Sequence, residues 1–143
     1  MITAPRQPSK IELSRLNCSF VLTRFFAGNE KALPALAEAD TVLLSVFVLG
    51  ELYAGFRAGK KEKQNKDIIR RFLEKATVTV LDATHETAEV YAQVKDGLRK
   101  AGRPIPINDV WIAAQALETG AVLLTHDSHF QVIPGLRIWD ELG

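Results

Sequence analysis

The sequence predicts an α/β fold built on a parallel sheet covered by helices on both faces, and three observations carry that prediction. The apolar runs at 41–45 (TVLLS), 77–81 (TVTVL), 121–125 (AVLLT) and 136–139 (LRIW) are short and continuous rather than alternating, as expected of strands buried on both faces. Segments with helical spacing of their apolar residues lie between them. The length of 143 residues, 47% of them apolar, suits one domain whose core forms without disulfides or a structural metal.

Along the chain, residues 1–10 hold two prolines and several polar residues and are expected to be a flexible tail, with one domain over 11–143. Residues 11–16 alternate weakly (Ile11, Leu13, Leu16) and give a marginal strand. Residues 20–26 are apolar and are expected to begin a helix stopped by Gly28-Asn29. A short helix is expected over 30–39, with Pro34 limiting its start. After the strand 41–45, residues 46–57 place Leu49, Leu52, Tyr53 and Phe56 at helical spacing. Residues 59–66 read as a charged loop or helix start, and 67–75 as a helix with Ile68, Ile69, Phe72 and Leu73 inward. Thr84 is the expected N-cap of a helix that keeps Tyr91, Val94, Leu98 and Ala101 on one stripe, and Gly102 ends it. Asn108 is the expected N-cap of a very apolar helix over 109–119, closed by Gly120. There are no repeats and no low-complexity segments.

The formal net charge is +1. It neither demands nor excludes a nucleic-acid partner, because a local basic patch suffices to bind phosphates. A single cysteine, Cys18, rules out a disulfide within the chain and suits a reducing compartment. No apolar run approaches the roughly 18 residues that would span a bilayer, and residues 1–10 lack a signal-peptide core. A cytoplasmic protein with no membrane association is the expectation.

Ligands of open parallel sheets bind outside the carboxyl ends of the strands, and three carboxylates fall near that edge. Asp127 lies two residues past the strand 121–125; taken alone, it reads first as a turn residue or helix cap. Asp109 opens an apolar helix, where the macrodipole favours a charged carboxylate; plain capping is the alternative. Glu51 sits among apolar or small neighbours (Phe47, Val48, Ala54, Gly55) and wants a partner, either Arg57 or a cation. Three carboxylates at one edge repel one another unless a cation lies between them. Hard oxygen donors without zinc-like His or Cys spacing select Mg²⁺ or Mn²⁺. Such a site activates water and steadies a phosphodiester.

The stretches TVLLSVFVLGELYAG and PIPINDVWIAAQALETGAVLLTHDSHF together resemble the PIN-domain toxins of bacterial VapBC toxin–antitoxin pairs. The features that carry the resemblance are a strand-ending Ser with Glu six residues on, Asn-Asp opening an apolar helix, and a strand closing in Thr-x-Asp-x-x-Phe. The resemblance implies a three-layer α/β/α PIN-like domain and a Mg²⁺- or Mn²⁺-dependent endoribonuclease. It implies that Glu51, Asp109 and Asp127 are the catalytic, metal-site carboxylates, with Ser45, Thr125 and Asn108 as supporting polar groups. It further implies a homodimer, a cognate VapB-like antitoxin and a structured RNA substrate such as tRNA. The family's first strand ends in Asp-Thr, and that Asp is a metal ligand. Counting back from Gly28 puts Cys18, or Asn17, at its position, so the site is expected to lack one acid and to be impaired.

Two basic groups are candidates for RNA contact. Arg99, Lys100 and Arg103 adjoin the loop before Asn108. Lys60, Lys61, Lys63, Lys66, Arg70 and Arg71 form a second group, interspersed with Glu62 and Asp67 as on a solvated helix face. The competing functional class is a PIN-fold module that binds antitoxin or RNA without turnover. A phosphoacceptor receiver domain is set aside, because the last strand offers no lysine.

Overall fold

The computed structural model describes residues 19–23 and 39–139. In chain order the elements are β1 (Ser19–Leu22), β2 (Thr41–Ser45), α1 (Val46–Ala58), α2 (Glu62–Leu73), β3 (Val78–Leu81), α3 (His85–Lys100), α4 (Ile107–Thr119), β4 (Val122–Leu124), a 3₁₀ turn (Ser128–Val132) and β5 (Ile138–Trp139). All strand pairings are parallel, in the order β3-β2-β1-β4-β5. The four strands expected from apolar runs are present, and parallel packing follows from their burial: Val42, Leu44, Val122, Leu123 and Leu124 are at most 2% exposed.

The strand at the centre of the sheet is β1, and there the structure corrects the sequence reading. Ser19–Leu22 is a strand, not the start of a helix over 20–26. A short apolar run such as Phe20-Val21-Leu22 has no period to separate strand from helix; pairing on both sides with β2 and β4 decides it. The expected tail, the strand over 11–16, the Gly28-Asn29 stop and the helix begun at residue 30 lie outside the described residues.

Local chemistry explains the helices. Ser45 accepts from the backbone N–H of Phe47 and caps α1. Thr84 and Thr87 exchange bonds in a capping box that starts α3. Gly120 adopts φ +69° and ends α4 in the left-handed conformation that glycine alone takes without strain. One inward assignment fails: Ile68 is 47% exposed, and Ile69 carries the buried face of α2. Phe47, Tyr53 and Phe56 are half-buried and pack on the core.

The chain runs outward from β1 to β2 and β3, then returns to the other side of β1 as β4. The sheet therefore reverses its winding between β1 and β4. A cleft opens beyond the carboxyl ends of strands at such a point.

Candidate metal centre

The carboxyl edges of β1 and β4 are occupied by hydroxyl residues. Thr23 follows Leu22, and Thr125 follows Leu124, its register partner. Both are buried, and the Thr23 hydroxyl donates to the Leu124 carbonyl at 3.2 Å. The Thr125 hydroxyl accepts from the backbone N–H of Asp127 at 3.1 Å, which fixes the turn that brings Asp127 over the edge. Asp127 precedes the 3₁₀ turn, but its side chain makes no capping bond there.

A cavity of about 490 Å³ lies above this edge, lined by Thr23, Glu51, Pro106, Ile107, Asn108, Asp109 and Asp127. The three carboxylates singled out by sequence thus share one cavity. A larger one, about 720 Å³, runs along α3 and the 3₁₀ segment; its walls are mainly apolar, among them Val94, Leu98 and Ile133, and hold no carboxylate. Of the two, only the smaller is lined by carboxylates.

Glu51 and Asp109 each meet a polar side chain from elsewhere in the fold. Asn108 donates from its side-chain amide to Glu51 at 2.7 Å. Asn108 is therefore not the N-cap of α4; Pro106 holds that place and the helix starts at Ile107. The fixed φ of Pro106 suits a helix start, which frees the Asn108 side chain to reach α1. Glu51, expected to meet Arg57 or a cation, is met here by an amide from another helix. His129 lies with Nε2 3.0 Å from the Asp109 carboxylate, its ring tilted against Phe130. From sequence, His129, which with His126 flanks Asp127, reads as a solvated loop histidine; the structure instead sets it against Asp109.

The electrostatics of Asp109 tie the group together. Burial pushes its carboxyl above the ordinary range, His129 pulls it back, and the charges of Glu51 and Asp127 push it up further. Net, the carboxyl is raised, so the macrodipole at the start of α4 does not prevail over desolvation. Among the described residues, no three His, Cys, Asp or Glu side chains stand close enough together, as placed, to hold a metal ion. The acids ring an open cavity instead. Carboxylate oxygens are the donor type that Mg²⁺ and Mn²⁺ take.

The remaining expected residues fall elsewhere. Ser45 is fully buried; its hydroxyl caps α1 and donates to Gln115, and it does not line the cavity. Arg99 and Lys100 share Asp96, at 2.6 and 2.8 Å, and with exposed Arg103 they stand outside the cavity. Asn17 and Cys18 lie outside the described residues. The described strand β1 ends at Leu22, and the residue at its carboxyl edge is Thr23. Thr23, like Asn17 and Cys18, brings no carboxylate.

The PIN domain family model matches residues 21–136. A Haemophilus influenzae protein named Ribonuclease VapC1 is 34% identical over 103 residues, covering 71% of this chain and 75% of its own. The chain belongs to the VapC family of PIN domains. Ribonuclease VapC2 of Rickettsia felis is 28% identical over 127 residues, 87% of this chain and 93% of that relative. Among solved structures, VapBC-1 from nontypeable Haemophilus influenzae superposes with a TM-score of 0.75 at 28% identity, covering 86% of this chain and 97% of that one. VapBC2 from Rickettsia felis, bound to a DNA fragment from its promoter, gives 0.72 at 27% identity, with 85% and 97% covered. The three-layer PIN fold expected from the resemblance is thereby established for this VapC-family chain.

Proposed function

We propose that this VapC-family chain is the toxin of a type II toxin–antitoxin pair, an endoribonuclease that hydrolyses RNA phosphodiester bonds with Mg²⁺ or Mn²⁺. The observation that carries the reading is the convergence of Glu51, Asp109 and Asp127 on one cavity at the point where the sheet reverses. The names of the relatives, ribonucleases of VapBC pairs, support it.

Glu51, Asp109 and Asp127 would hold the cation. When bound, it supplies an activated water and offsets charge on the scissile phosphate. The chain's own residues prepare the site. Asn108 holds Glu51 toward the cavity, His129 orients Asp109, and Thr125 sets the turn that presents Asp127. Thr23 closes the floor as a neutral hydroxyl, so the described lining of the cavity brings three carboxylates. Fewer negative oxygens offset less of an ion's dehydration, so cation affinity is low and turnover slow. The partners that fit this reading are a VapB-like antitoxin, a structured RNA such as tRNA, and a second copy of the chain. No described helix is long and apolar enough to cross a membrane, and a cytoplasmic RNA substrate fits that.

Incubation of the purified protein with transfer RNA and Mn²⁺, beside Asp109→Ala, tests the reading. Cleavage that disappears in the variant supports the enzyme. The neutral Thr23 favours a second reading, a PIN-fold module that binds antitoxin or RNA without turnover; identical RNA profiles for the two proteins would select it.

A further inference from the structure

Gln115 is the largest polar side chain among the fully buried residues, and every polar atom of it is bonded. Its Oε1 accepts from the Ser45 hydroxyl at 2.6 Å. Its Nε2 donates to the carbonyls of Leu81 and Asp82 at 3.0 and 3.3 Å. Ser45 ends β2 and caps α1, and Leu81, its register partner, ends β3. One side chain of α4 thus ties together the ends of two strands and the start of α1.

This tie is the inner rung of a seam between α1 and α4. Next along both helices, Phe47 stacks on Trp111 with ring centroids 5.2 Å apart. The outer rung is the bond from Asn108 to Glu51 at 2.7 Å. Residues 45, 47 and 51 therefore meet 115, 111 and 108 in that order. The stack is apolar and tolerates sliding. The buried amide does not, because displacing it leaves several polar atoms unsatisfied away from water. A slip of α4 by one residue would move Asp109 about 1.5 Å along the axis and turn it about 100° away.

We infer that Gln115 is a positioning residue, which sets the register of α4 against α1 and so holds Asn108 and Asp109 opposite Glu51. The role deepens the proposed reading of the cavity and rests on it, although the seam exists whether or not a cation binds. Losses of about 10- to 100-fold in metal affinity follow removal of groups that orient ligands from behind.

Two measurements on the full chain test it. In the metal-free protein, the Asn108 side-chain amide resonance reports the outer rung; Glu51→Gln identifies the bonded position. Gln115→Leu should shift that resonance to the free-amide position and lower Mn²⁺ affinity about tenfold or more. Leu98→Ala, a core change on α3, should leave both unmoved at a temperature where each variant is folded. Ser45→Ala should repeat the Gln115→Leu effects, and Ser45→Thr, which keeps the hydroxyl, should restore them. The Ser45 pair also decides the matter should Gln115→Leu not fold. An unchanged Asn108 resonance in both Gln115→Leu and Ser45→Ala overturns the inference, as does an equal shift in Leu98→Ala. If the wild-type chain takes up no Mn²⁺, the cation reading fails, while the resonance still decides on Gln115.

Discussion

Asp109 is held in a position that disfavours its own charge. Its carboxyl is raised by burial and by Glu51 and Asp127, against the pull of His129. The fold therefore binds this proton more tightly than the unfolded chain does. Stability falls as pH climbs from the ordinary carboxylate range through the raised value, and the loss is complete above it. Asp109→Asn removes that loss, so the ion-free variant should melt higher than wild type at pH 7.5, with the gap closing toward pH 4. Thermal melts at the two pH values check this, and a gap that widens toward low pH would contradict it. Thr23 is the second residue whose chemistry is out of place, a buried hydroxyl among three acids. Thr23→Asp should raise Mn²⁺ affinity by about tenfold or more, since ligand charge sets ion affinity. It should also lower the ion-free melting temperature, because it adds a fourth like charge. Titration of the ion into both proteins reads the first effect directly.

At the scale of elements, stops and caps carry measurable stability. Gly120→Ala forces a Cβ into the left-handed region at φ +69° and should cost about 1–2 kcal/mol. Thr84→Ala removes the capping box of α3 and should cost about 1 kcal/mol. Denaturant melts check both, and RNA cleavage measured well below the melting temperature should not change. These caps were readable in the sequence because they are local: a hydroxyl before a periodic run, a glycine after it. The strands β2, β3, β4 and β5 were readable because β-branched and aliphatic runs are bounded by polar residues. The central strand was not. Phe20-Val21-Leu22 is followed by Phe25 and Phe26 within a few residues, and nothing local separates extended from helical. The residue at the carboxyl edge of that strand, Thr23, was therefore not singled out. Asn108 was misread for a related reason. Its sequence context reads as a cap, whereas its partner Glu51 is 57 residues away.

At the scale of the whole molecule, Glu51, Asp109 and Asp127 share one cavity, while the two basic groups lie on helix surfaces, paired in part with other acids. On α2, Lys66 pairs with Glu62 and Arg70 with Glu74, and Lys60, Lys61 and Lys63 stand exposed at its start. On α3, Arg99 and Lys100 are both held by Asp96. Every cation that no longer meets a phosphate should lower the slope of log affinity against log salt by about 0.7 for a single strand. The joint replacement of Arg99, Lys100 and Arg103 by Ala should therefore flatten the salt dependence of RNA binding, measured by titration between low and moderate salt. If only replacement of Lys60, Lys61 and Lys63 flattens it, the RNA path runs over the α1–α2 turn instead. The proposed function depends most on the three carboxylates acting together on a cation. Calorimetric or spin-resonance titration of Mn²⁺ into the wild-type chain and into Glu51→Gln, Asp109→Asn and Asp127→Asn measures that directly. Saturable binding is expected in the wild type, weakened at least about tenfold in every variant. Binding that is absent in the wild type, or unaltered by any one of the three substitutions, would contradict a shared cation site.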